Sequence, residues 1–185
     1  MATMISSGMD VVEFLEEQHD QIEVGFDTVL QSHGEARKTA FFALRRLLAV
    51  HETAEEEIVH PAARKELPEG DLIVEARLEE EREAKKVLAE LEDLDVDSVE
   101  FEQQFLLLRS SVLMHAQAEE EQEFERLGDV LDQSRLDKMR KAVELAERLA
   151  PTRPHAGVES ATGNVLVGPF AAMLDRARDA LSGKS

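Results

Sequence analysis

HETAEEEIVH, residues 51–60, and HAQAEEEQEF, residues 115–124, agree at five of their first seven positions, and the two stretches decide the fold between them. Each contains His-x-x-x-Glu, His51 with Glu55 and His115 with Glu119, a spacing that puts both side chains on one helix face a turn apart. The residues around them keep the same face. Phe41, Leu44, Leu48, His51, Glu55 and Ile58 form one ladder of three- and four-residue steps, and Phe101, Phe105, Leu108, Val112, His115, Glu119 and Gln122 form another. Each histidine and glutamate therefore continues an apolar stripe. A carboxylate there costs several kcal/mol unless protonation, an arginine or a metal cation compensates it.

Working outward, Val11, Leu15, Ile22, Phe26 and Val29 mark a first helix with His19 on its stripe, and Ser32, His33 and Gly34 a loop after it. Pro61 is expected to disturb or end the second helix. A turn at Leu67-Pro68-Glu69-Gly70 leads to a third helix over about 71–91, carrying Val74, Leu78, Leu88 and Leu91. Residues 93–97 read as a loop, and the fourth helix is expected to close at Gly128 or thereabouts. Leu15-Glu-Glu-Gln-His-Asp20 matches Leu78-Glu-Glu-Glu-Arg-Glu83, so the chain contains two similar helical hairpins. His19 precedes His51 by 32 positions and Arg82 precedes His115 by 33 (51 − 19 and 115 − 82), which brings corresponding side chains to one level. The fold expected is all-α: an antiparallel up-down four-helix bundle over residues 1–130. A C-terminal part, 131–185, packs on it with a helix at about 136–149, a Pro/Gly/Ser/Thr-rich stretch and a short helix at about 169–181, wrapping the bundle as a brace.

Composition narrows the chemistry. Forty acidic against 21 basic residues leave a net charge of −19, which repels nucleic-acid backbones and anionic lipid and makes neither an expected partner. With no cysteine, thiolate catalysis, disulfides and iron–sulfur clusters are excluded. No apolar run suits a bilayer and the start of the chain does not read as an export signal, so a cytoplasmic setting is expected. Neither G-x-S-x-G nor a phosphate-binding glycine loop occurs.

Imidazole beside carboxylate suits iron, manganese or zinc better than calcium or magnesium, and two glutamates flanked by histidines describe a two-metal site. His19, then His51-Glu-Thr-Ala-Glu55, then a slot on helix three, then His115-Ala-Gln-Ala-Glu119 resembles the hemerythrin-like HHE cation-binding family over about residues 10–127. The PTRPH and ESATGN stretches also resemble tails on actinobacterial members. The resemblance implies a four-helix bundle with a non-heme di-iron centre, in which His19 and His51 ligate one iron, His115 the other, and Glu55 and Glu119 bridge. The helix-three slot departs from the pattern, because Arg82 stands where a histidine is expected and a guanidinium cannot ligate. Glu81 or Glu79 could supply a carboxylate instead. Alternatively Arg82 pairs with Glu119 or Glu55 and leaves one iron, or another divalent metal, on the His19 side.

His33 and His155 read as surface residues, and His60 does so first, nine positions past His51 and half a circle away, unless Pro61 turns it inward. Glu23, Glu56, Glu57, Glu120 and Glu121 read as solvated acids. The resemblance implies binding of O2, NO or peroxide for sensing, carriage or detoxification, with redox turnover left open. The alternative is a regulatory module, metal-free or with a structural ion, that engages a basic protein partner through its acidic surface.

Overall fold

The structure, a computed structural model, describes residues 8–149, and every regular element among them is helical. Helix α1 spans Val11–Gln31 and opens with a capping box: the Asp10 carboxylate accepts the backbone N–H groups of Val12 and Glu13 at 2.9 and 3.2 Å, and the Glu13 side chain accepts that of Asp10. Helix α2, Gly34–Ala54, passes through a π turn at Glu55–Val59 into α3, His60–Glu66. Helix α4 spans Gly70–Glu92; α5, Val99–Glu119, passes through a second π turn at Glu120–Phe124 into α6, Glu125–Val130; and α7 spans Gln133–Leu149. Helices α1 and α2 pack as one antiparallel pair and α4 and α5 as the other. The bundle closes through α1 against α5 and α3 against α4, and α7 lies on α1 and α2.

The apolar stripes fill two separate cores. Towards one end Phe14, Leu15, Val59, Val74, Phe124 and Leu127 meet Leu136, Met139 and Val143 of α7; towards the other, Ile22, Phe26, Phe41, Leu44, Phe101 and Phe105 pack together. Phe101 and Phe105 stack at 5.4 Å and Phe26 leans on Phe105 at 5.1 Å. Each such buried ring stabilises by about 1.5–3 kcal/mol, and the aromatic pairs add about 0.5–1.5 kcal/mol. Between the two cores runs a layer of buried polar side chains, and the candidate site lies in it.

Two local expectations, at Pro61 and Gln122, are corrected. Pro61 does not end the second helix, which continues to Glu66: the π turn has already broken the i→i−4 ladder, and Pro61 falls in the first turn of α3, where a missing N–H is tolerated. The fourth helix ends at Val130, two residues past Gly128, within the expected stretch. Gln122 is exposed, because the second π turn moves the inward register to Glu123 and Phe124. At the joint between hairpins Glu69 is left-handed (φ 61°), and Gly70 presses so closely on α3 that a Cβ would lie 2.2 Å from the Ala63 carbonyl oxygen. The tail and its short helix, with His155, PTRPH and ESATGN, lie outside the described residues.

Candidate metal centre

Both copies of the decapeptide put a π turn directly at or after their second glutamate, where His60 N–H bonds back to the Glu55 carbonyl and Glu125 N–H to that of Glu120. A π turn admits one extra residue and so rotates the downstream helix by about 100° relative to an uninterrupted α-helix. Five buried positions at strict intervals of four result in each copy: His51, Glu55, Val59, Ala63 and Leu67, and His115, Glu119, Glu123, Leu127 and Leu131. The same rotation, set by the π turn and not by Pro61, carries His60 into the interior, the alternative to its surface reading that made it a candidate ligand, with Glu123 facing it.

The five core candidates come together. His19, His51, Glu55 and Glu119 are all buried and offer ligand atoms within 4.8 Å of one another. His51 Nε2 lies 3.2 Å from Glu55 Oε1, His115 Nε2 lies 3.2 Å from Glu119 Oε1, and His19 Nε2 reaches Glu119 at 3.5 Å and Glu55 at 3.9 Å. A second group on the α4 side consists of Glu52, Glu81 and His115, and a third of His60, Glu119 and Glu123. Among the slot candidates Glu81 is buried, whereas Glu79 is exposed and accepts a bond from half-buried Arg82.

Each of the three histidines in the first two groups is held by its far nitrogen. His51 Nδ1–H donates to Gln18 Oε1 at 2.8 Å, and Gln18 Nε2 in turn donates to Glu147 of α7 at 2.6 Å. His19 Nδ1–H donates to Glu120 at 2.8 Å, and His115 Nδ1–H to Glu80 at 2.9 Å, with Arg77 on Glu80 behind it. These bonds fix the rings with each Nε2 pointed at the glutamates. Phe124 stacks on the His19 ring at 5.5 Å and seals that side.

The donor set fits a cation. His19 Nε2, His115 Nε2, Glu52 Oε2 and both oxygens of Glu55 and of Glu119 are buried without a hydrogen-bond partner. Leaving that many polar atoms unsatisfied costs about 1–3 kcal/mol each. These atoms converge on one another, as ligands around a shared ion do. Burial, with the negative Glu119 beside it, lifts the Glu55 carboxyl well above its usual range, and burial beside Glu81 lifts Glu52 to about 8. Burial and its neighbour His19 push His51 down to about 3, the neutral form a ligand needs. Burial would lower His19 too, but the Glu119 and Glu120 carboxylates outweigh it and hold that ring at about 9. The protons and imidazolium charge now balancing the glutamates are what an incoming ion would displace.

Part of the layer is neutralised already. His60 donates through Nε2 to Glu81 at 2.9 Å and through Nδ1 to Glu123 at 3.1 Å, and Lys85 donates to Glu81 at 3.2 Å and also to Glu56. Sequence reasoning missed Glu52, Glu123, Lys85 and Gln18, and read Glu57 as solvated although it is buried; Glu120, half-buried, holds His19. Glu23, on an exposed edge with Arg109, and His33 lie away from the site.

The family model described as the hemerythrin HHE cation-binding domain matches residues 10–127. A crystal structure of a hemerythrin HHE cation-binding domain-containing protein from Mycobacterium kansasii is similar in fold, with a TM-score of 0.68 at 17% identity over 91% of this chain and 99% of that one. No curated protein matches. Among the described residues no helix is long and apolar enough to cross a membrane.

Proposed function

This chain belongs to the hemerythrin HHE cation-binding domain family, and on that premise we propose that it holds two non-heme iron ions in the buried centre. There it binds O2, NO or peroxide for sensing, carriage or detoxification. The observation that carries this reading is the convergence of buried donor atoms that have no hydrogen-bond partner. His19, His51 and Glu55 would hold one ion and His115, Glu52 and Glu81 the other, with Glu119, 3.5 Å from His19 Nε2 and 3.2 Å from His115 Nε2, within reach of both groups. Glu81 thus takes the role that the pattern gives to a helix-three histidine. When bound, iron in such a set supplies a redox couple and an open coordination position for a small ligand.

The remaining side chains hold and shield. Gln18, Glu80 and Glu120 orient the imidazoles, Phe124 excludes water from the His19 face, and His60 keeps Glu81 and Glu123 in place. The test is metal counting on the full chain reconstituted with Fe(II) in air. About two irons per chain are expected, falling to one when Glu52 and Glu81 are both replaced by alanine. Two irons in that double variant would sink the assignment of the second position.

A second reading has an observation in its favour: His60 and Lys85 already supply positive charge beside Glu81. A metal-free module that uses the acidic surface to engage a basic partner would need no ion, and a chain free of metal after iron-supplemented growth would favour it.

A further inference from the structure

The wall of the bundle between α4 and α5 is not closed. A cavity of about 450 Å³ opens there, with Ala84, Val87, Leu107, Leu108, Val112 and Met114 along its sides. Its inner lining includes Glu52, Glu81 and His115, the oxygen-rich group of the centre. Glu79, Glu80 and Glu83, all exposed, belong to the same lining and form a polar rim. Leu107 and Met114 remain 70% and 69% exposed, so apolar surface is left facing water at the mouth.

Size argues against a diatomic or hydrogen peroxide as the natural filling. One water takes about 30 Å³ of liquid, whereas organic ligands occupy cavities of about 300–1,000 Å³. The cavity lies within the second range, and small ligands would leave most of its apolar wall hydrated. Inside, Glu52 is 7% exposed and its Oε2 has no hydrogen-bond partner. That atom, with the ion proposed beside it, is a place for a polar head. Each rim glutamate has a cationic partner, Arg82 on Glu79, Arg77 on Glu80 and Lys86 on Glu83, so what disfavours an anion is the chain's net charge of −19 together with the Glu52 and Glu81 carboxyls inside the cavity.

We propose that this cavity binds a small, uncharged aliphatic molecule bearing one hydroxyl or hydroperoxyl head, its chain along Leu108, Val112 and Met114 and its head towards Glu52, Glu81 and His115. What the head meets rests on the two-metal reading; the apolar fit and the exclusion of anions do not.

The test uses the full chain with labelled leucine, valine and methionine methyls, metal-free and zinc-loaded, titrated with 1-hexanol and with hexanoate. Hexanol is expected to give saturable methyl shifts confined to Val87, Leu107, Leu108, Val112 and Met114, with hexanoate binding about tenfold more weakly or worse. Ala84→Phe and Ser111→Phe, two independent plugs in the cavity, should each remove the saturable shifts while zinc content stays that of the parent. Should either plug fail to fold, the other still reads the site. The inference is overturned by absent or scattered hexanol shifts, by equal binding of hexanoate, or by unchanged binding in a folded plug variant. Zinc counted in the same samples separates the two ideas. Retained zinc without hexanol binding removes the cavity inference alone, and hexanol binding to a chain that retains no metal removes the two-metal reading alone.

Discussion

The two decapeptides share a backbone device and divide the chemistry. Both present a histidine, a glutamate one turn on, and a π turn that rotates the next residues inward. Their side chains then part company. Glu52 in the first copy corresponds to Ala116 in the second, Val59 to Glu123, and His60 to Phe124. Phe124 caps the His19 side with a ring, while His60 braces carboxylates on the α4 side. One half of the centre is consequently nitrogen-rich and sealed; the other is oxygen-rich and faces the cavity. Duplication explains the common geometry, and exchanges at three positions account for most of the asymmetry.

The comparison breaks most completely at Glu119, which lies against histidines of both proposed positions, His19 at 3.5 Å and His115 at 3.2 Å. Glu119→Ala should abolish metal retention, whereas His19→Ala should lose one ion; equal counts in the two variants would contradict a shared glutamate. His60→Phe, which makes the copies more alike, leaves Glu81 and Glu123 without their common imidazolium. It should lower stability by about 3–5 kcal/mol, read by urea denaturation of the metal-free chain.

Next come the bonds that orient the ligands. Gln18→Leu removes a buried partner of His51 and should weaken metal binding by about 10–100-fold in competition with a chelator. Glu80→Gln, at a half-exposed partner of His115, should weaken it less. An effect read on stability and not on metal affinity belongs to Glu147, whose carboxyl burial lifts from 4.5 to about 7. The folded chain holds that proton where the unfolded chain has released it, so stability falls as pH rises from 4.5 to about 7 and the full penalty persists above that. Glu147→Gln keeps an acceptor for Gln18; it should raise the melting temperature at about pH 8 and leave it unchanged near pH 4.

Much of this was legible in the sequence, for a physical reason. Apolar ladders that carry a polar residue have to bury it, and His19, His51, Glu55, His115 and Glu119 are all buried together. Helical hairpins of matched length set the bundle. The rest depended on rotation, which local propensity does not reveal. An ordinary helix alternates steps of three and four, and extending that rhythm past Glu119 selects Gln122 where the structure buries Glu123. The available signal was subtler: runs of four-residue steps ending in Ala63 and Leu67, and in Leu127 and Leu131, cannot stay on one face of a 3.6-residue helix without an inserted residue. Glu52 and Gln18 lie beside the ladders and are covered by α4 and α7, contacts that only the assembled bundle supplies.

The crowded joint at Gly70 bears on how the halves move. With backbone against backbone at that corner, even a methyl group has no room, and the hairpins are riveted there rather than hinged. Entry to the interior is therefore left to the opening between α4 and α5, and a clamshell separation at this corner would first have to tear α3 from α4.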